Sequence, residues 1–167
     1  VWADAQAYAD APDKVIGRVS TYGVVPIDDV DSVRYNVVEM MRRARKSVVI
    51  TSPCLIPGEA GIETFRESIA RHGVTYTLVT NSLAATDEPV VHTGYRRYRP
   101  EMLKLGMNLY ELSPQKVSRS LRLGRFSTSI GRLHAKSAVV DGERVFIGSM
   151  NFDPRSDQLN TEMGLFI

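Results

Sequence analysis

The chain has 167 residues, 21 basic and 19 acidic side chains and a formal charge of +2, with 43% hydrophobic and 24% charged residues. These proportions are those of a globular domain and exclude a disordered tail, a collagen-like fibre and a disulfide scaffold. The length suits one domain with a sizeable core and not two full ones.

Residues 1–27 form a poorly defined N-terminal segment, in which Pro12, Gly17, Gly23 and Pro26 interrupt any long element. The spacing then predicts a helix over Asp28 to Lys46. Val30, Val33, Val37, Met41 and Ala44 recur at threes and fours, acids lie at its start, and Arg42, Arg43, Arg45 and Lys46 suit the negative end of its dipole. Ser47 to Ser52 reads as a short apolar strand, and Pro53 and Pro57-Gly58 mark a loop. Gly61 to His72 reads as a helix with Ile62, Phe65 and Ile69 on one face and Gly73 as its stop. Val74 to Thr80 is a strand, a loop runs through Asp87 and Pro89, and a third helix covers His92 to Leu105 before Gly106. Its stripe of Tyr95, Tyr98 and Met102 is most simply core packing. Met107 to Leu112 is the next strand. Helices alternating with strands in this way argue for a largely parallel sheet with helices packed on it.

Beyond a loop the pattern changes. Arg132 to Val140 reads as a strand, Asp141-Gly142 as a tight turn and Val145 to Gly148 as a second strand. A polar loop over residues 151–160 leads to a last strand, Thr161 to Ile167.

Charge is uneven along the chain. Residues 1–112 hold 13 basic and 14 acidic side chains, and residues 113–167 hold 8 and 5, which together make the 21 and 19 of the whole. Lys116, Arg119, Arg122 and Arg125 lie in a stretch without acids, either a solvated basic loop or one that faces an anion. This is too little basic charge for a strong nucleic-acid footprint. The single Cys54 cannot form an internal disulfide, so a reducing compartment is the default. No apolar run reaches the ~18 residues of a membrane span. The chain begins at Val1 and ends on the apolar run Gly164 to Ile167, which reads as an excised domain or fragment.

The chemistry concentrates between Leu133 and Asn151. On a strand His134 and Lys136, two residues apart, would share a face. Two potential cations make a poor core pair. They suit a site for a doubly charged oxyanion. Gly148 would let backbone approach a ligand, Ser149 adds a hydroxyl and Asn151 an amide donor. Together these groups can surround a phosphoryl group with donors while the imidazole attacks phosphorus.

The spacing His134-x-Lys136-x4-Asp141-x6-Gly148-Ser149-x-Asn151 resembles the full signature of the phospholipase D superfamily. Six positions specified at roughly 5% each arise by chance on the order of 10⁻⁸ times per starting position. The runs Ser82 to Asp87, His92-x-Gly94-Tyr95-x-x-Tyr98-Arg99, Tyr110-Glu111-Leu112, Asn151 to Ser156 and Asn160 to Gly164 are similar to bacterial cardiolipin synthases, in particular the C-terminal half of the type C enzymes. The resemblance implies a phospholipase D-like α/β/α sandwich, with a central mixed β-sheet flanked by helices, and makes residues 28–167 a catalytic half-domain with one copy of the motif.

It also implies a mechanism. The family's His forms a phosphohistidine. A second His, from a second motif, protonates the leaving alcohol and then deprotonates the incoming one. By position, His134 is nucleophile or general acid, and Lys136 and Asn151 bind the phosphoryl oxygens. Ser149 donates a supporting hydrogen bond, and Glu162 sets the imidazole's tautomer. Asp141 belongs to the turn or a supporting hydrogen bond, and Arg155 is a candidate headgroup or phosphate contact. No metal or cofactor is implied. His92 near a helix start, His72 at a helix end and a small buried Cys54 read as structural, and Pro53 to Gly58 corresponds to a family loop near the site's mouth.

The expected partners are a phosphatidylglycerol-like phospholipid and either an N-terminal half of the same polypeptide or a second copy of the chain. Peripheral attachment to the cytoplasmic side of a bacterial inner membrane follows from such a substrate. Two alternatives stand beside this phosphatidyltransferase: a single-motif homodimeric phosphodiesterase or nuclease, and a catalytically silent fragment that binds phosphate or lipid.

Overall fold

A computed structural model describes residues 2–12, 14, 31–86, 88–114 and 132–167. Strands β1 (Gln6–Ala9), β2 (Ser47–Thr51), β3 (Thr75–Asn81), β4 (Asn108–Leu112), β5 (Ser137–Val140), β6 (Arg144–Gly148) and β7 (Met163–Phe166) build one sheet. Their order is β1-β7-β6-β5-β2-β3-β4. The β2, β3 and β4 ladders are parallel and the remaining neighbours are antiparallel. Helices α1 (Val33–Arg42), α2 (Gly58–His72), α3 (Pro89–Lys104) and the short α4 (Pro154–Gln158) complete the α/β architecture.

Local chemistry sets the boundaries. Ser32 caps α1, its Oγ accepting the Tyr35 N–H at 3.1 Å. Gly73 stops α2 in the left-handed region at φ 64°. Pro89 opens α3, where a missing N–H costs nothing. The helices bury Val33, Val37, Ile62, Phe65, Tyr95 and Met102 in one core with Val48, Ile50, Tyr76, Leu78, Ala138, Val140 and Phe146 of the sheet. Each fully buried large side chain contributes about 1.5–3 kcal/mol. Strand alternation places those sheet residues on one face. On the other, Val49, Tyr110, Ile147 and Leu165 are exposed among the described residues.

Several expectations shift. Residues Gln6–Ala9, read as undefined, pair with β7 as an edge strand. α1 ends at Arg42, before the basic run finishes, and its expected start at Asp28 lies outside the described residues. α2 begins three residues early and α3 takes in Pro89. The expected strand over Arg132 to Val140 shrinks to Ser137–Val140, so His134 and Lys136 precede the ladder. The polar loop contains α4, capped by Asp153, whose carboxylate accepts the Arg155 and Ser156 N–H groups. Lys116, Arg119, Arg122, Arg125 and Asp87 lie outside the described residues.

Strand direction decides what meets where. β2, β3 and β4 finish at one end of the sheet. The antiparallel partners bring the starts of β5 and β7 and the ends of β6 and β1 to that same end. His134, Lys136, Ser149 and Glu162 are therefore neighbours of the carboxyl ends of the parallel strands, the usual place for a ligand in an open α/β sheet.

Candidate active site

Two segments carry the candidate residues. The first, residues 132–136, crosses the sheet end before β5. Asn81, the last residue of β3, grips its backbone: Nδ2 donates to Leu133 O at 3.1 Å and Oδ1 accepts the Leu133 N–H at 2.9 Å. His134 follows and is exposed. Lys136 Nζ donates to the His134 carbonyl at 2.9 Å. This ties the lysine to its own segment through one of three ammonium hydrogens.

The second segment is the turn after β6. The Gly148 N–H donates to Lys136 O at 3.1 Å, so the two parts of the motif are joined directly through backbone. The glycine has a packing reason of its own. A Cβ there would lie 2.7 Å from Phe146 Cζ and closer still to the Met163 carbonyl. The Phe146 ring lies against Gly148 and its cross-strand partner Gly164.

Ser149 Oγ donates to Glu162 Oε2 at 2.5 Å and accepts the Met163 N–H at 3.0 Å. A hydroxyl has one hydrogen to give. In this arrangement it is committed to the carboxylate, and Ser149 is a link between β6 and Glu162. Among the described residues Glu162 meets Ser149 rather than the His134 imidazole. Asn151 is partly buried, and its Oδ1 is buried without a hydrogen-bond partner among the described residues. Its neighbour is fixed: the Phe152 N–H donates to buried Ser52 Oγ at 3.1 Å, and Phe152 O accepts from Ile56 N at 2.7 Å. The Pro53 to Gly58 loop is thereby attached to the Asn151 turn. Cys54, in that loop, is only partly buried and not the core residue expected.

Glu162 is itself held from behind. It is 6% exposed, although carboxylates are rarely so deep. Asp10 supplies the support: its Oδ2 accepts the Glu162 N–H at 3.0 Å, its Oδ1 accepts the Val33 N–H at 3.0 Å, and its own N–H donates to Glu162 O at 2.8 Å. Lys14 Nζ pairs with Asp10 at 2.5 Å and reaches Ser156 O at 3.3 Å. Asp157 stands nearby, paired with Arg34. Burial pushes its carboxyl above the ordinary range, against Arg34 and Lys14, which pull it down.

Asp141 and Arg155 stand apart from this cluster. Asp141 follows β5 at its far end, about 16 Å of extended chain from Lys136 at ~3.3 Å per residue. At φ 58° in the β5–β6 turn, its carboxylate accepts the N–H groups of Arg45, Lys46 and Ser47. Partial burial opposes ionisation, but those three donors and Arg144 outweigh it and hold the carboxyl below its usual range. Arg155 is exposed in the first turn of α4. His92 lies in the first turn of α3 with its ring 5.4 Å from Tyr95, and His72 ends α2 at the opposite end of the sheet.

Sequence reasoning missed Asn81, Ser52, Asp10 and Lys14. A buried Asn ending a strand and a lone Asp-x-x-x-Lys carry no recognisable spacing; only the tertiary fold shows what their polar atoms meet.

Comparison with known proteins agrees with the motif. Residues 37–167 match the family model described as cardiolipin synthase, PLD-like domain. The whole chain is 38% identical to cardiolipin synthase C of Escherichia coli (strain K12), covering 34% of that protein. Over 77% of its length it is 32% identical to a cardiolipin synthase of Geobacillus thermodenitrificans, covering 22% of it. The chain thus spans about a third or less of these relatives. In fold it is similar to the phospholipase D family member Nuc from Salmonella typhimurium, with a TM-score of 0.59 at 15% identity over 98% of this chain and 82% of that one.

Proposed function

The chain belongs to the cardiolipin synthase, phospholipase D-like family, and from that premise we propose that it carries half of an active site for phosphatidyl transfer. His134 attacks the phosphorus of a phospholipid phosphodiester. A nitrogen–phosphorus bond forms, and the bond to the leaving alcohol breaks as that alcohol takes a proton from a second histidine. That histidine belongs to a partner half of the same polypeptide or to a second copy of the chain. It then takes the proton of an incoming lipid alcohol, whose oxygen displaces His134. Lys136 and Asn151 neutralise the charge that grows on the non-bridging oxygens. Glu162, through Ser149, keeps the turn that bears Asn151 in place, and Arg155 is available to a headgroup.

One observation supports this reading: His134, Lys136, Ser149 and Asn151 lie on two segments at one sheet end, and the Gly148–Lys136 backbone bond joins those segments. A lipid substrate would bring the protein to a membrane surface as a peripheral partner on the cytoplasmic side. No helix among the described residues is long and apolar enough to cross a membrane.

The test is made on the full-length protein. Incubation with phosphatidylglycerol vesicles should yield a diphosphatidyl product, and acid-labile phosphate should appear on protein and be lost in His134→Ala. Phosphodiester hydrolysis without lipid transfer, by a two-fold dimer, would favour the homodimeric phosphodiesterase. That second reading has one feature in its support, a single His-x-Lys in 167 residues. Binding without turnover would leave the chain a silent phosphate-binding module.

A further inference from the structure

We propose that Asn81 is a positioning residue for His134; the proposal rests on His134 being the reacting histidine. Asn81 is 3% exposed at the end of β3, where an unpaired amide would be costly. Its side chain spends one donor and one acceptor on a single residue, Leu133, at 3.1 and 2.9 Å. The amide thus acts as a surrogate peptide group and pairs Leu133 as a neighbouring strand would. Among the described residues no strand does so there, and β5 begins only at Ser137.

The consequence falls on the next residue. His134 lies between two anchors: Asn81 on Leu133 before it, and Gly148 on Lys136 after it. The chain between them is outside the ladder, and His134 is exposed. Without the first anchor the histidine would hang from one side only. An imidazole attacking phosphorus in line needs its nitrogen within a fraction of an ångström of the productive position. Few residues replace Asn here. Asp keeps the acceptor for the Leu133 N–H but sets a carboxylate oxygen against the Leu133 carbonyl. Leu offers neither partner, and Gln is one methylene too long.

The experiment uses the full-length protein and two substrates, phosphatidylglycerol in mixed micelles and the soluble diester bis(p-nitrophenyl) phosphate. Asn81→Ala and the near-isosteric Asn81→Asp are compared with the parent and with His134→Ala. Asn81→Ala should lower kcat at least 10-fold with KM within about 3-fold, and Asn81→Asp should do no better. In protein labelled at histidine Cε1, the His134 signal, assigned by its loss in His134→Ala, should shift or broaden in both Asn81 variants.

If His134→Ala keeps parental turnover, the reading of His134 fails, and the positioning role falls with it. If His134→Ala is inactive while both Asn81 variants keep parental kcat, the positioning role alone is overturned. An Asn81→Ala protein that does not fold moves the decision to Asn81→Asp. There an unchanged His134 signal overturns the proposal, and a shifted signal with lowered kcat supports it.

Discussion

Substituting Gly164 by alanine probes the packing beneath the Ser149–Glu162 contact. A Cβ at Gly164 would stand 3.1 and 3.2 Å from Phe146 Cδ2 and Cζ and nearer still to Cε2, where carbon contacts prefer about 3.5–4.0 Å. The ring cannot retreat to solvent, because Phe146 is fully buried and packs on Phe166 at 5.1 Å between centroids. Overpacking of this kind costs about 1–3 kcal/mol. Phe146→Leu alone should cost a similar amount by leaving a cavity. The two changes relieve each other, so Gly164→Ala with Phe146→Leu should fall short of additivity by ~1 kcal/mol or more. Gly148→Ala differs, since its added carbon also meets the Met163 backbone oxygen, which no change at Phe146 removes. Urea unfolding midpoints, read at constant m, measure all of these variants. A Gly164→Ala protein within ~0.5 kcal/mol of the parent, or strict additivity with Phe146→Leu, would refute the argument. Full rescue of Gly148→Ala by Phe146→Leu would refute the distinction between the two glycines.

Lys14→Met should destabilise the protein by about 3–5 kcal/mol by leaving the buried Asp10 charge short of its cation, and Asp10→Asn added to it should recover part of that loss in the same unfolding experiment. Asp141→Asn should cost about 1–2 kcal/mol at neutral pH, since it weakens three charge-assisted bonds at the protein surface. The folded Asp141 carboxyl lies below its ordinary 3.8. Its contribution is therefore fully present above that value and lost as pH falls through the lower folded one. The stability gap between parent and Asp141→Asn should stay constant down to ~pH 5 and close in stronger acid. Ser149→Ala should reduce phosphodiester turnover about 10-fold or less, whereas Lys136→Ala should reduce it by 100-fold or more, because one links protein parts and the other would carry charge to the phosphoryl oxygens.

The fold was legible where a pattern repeats several times within one element. The α1 stripe, the α2 stripe with its Gly73 stop and the parallel trio β2, β3 and β4 all follow from spacing. The misreadings share a cause. Gln6–Ala9 is four residues with one partly buried side chain, so periodicity had nothing to work on. Its strand exists because β7 offers an edge and because Asp10 fastens the chain to Glu162 and Val33. Pro89 looked like loop because proline breaks helices, yet at the first turn it begins one. The strand over residues 132–140 was overextended because alternation continues upstream of the point where the ladder starts.

At the site the same division holds on a smaller scale. His134, Lys136, Ser149 and Asn151 stood out because chemistry on a phosphate calls for particular side chains at particular intervals, and Glu162 stood out only through the family resemblance. Their supports did not, because Asn81, Ser52 and Asp10 act on backbone, and any segment offers the N–H and C=O groups that they bind. Each closes a gap left where the sheet ends: Asn81 in front of β5, Ser52 at the Asn151 turn, Asp10 ahead of β7. Irregular chain at a sheet edge still has polar groups to satisfy, and a reacting residue on such chain must still be held still. One buried side chain does both at once. The buried polar residues that satisfy this end of the sheet are therefore bonded to the backbone of the segments that carry the candidate groups: Asn81 to Leu133, Ser52 to Phe152 and Asp10 to Glu162.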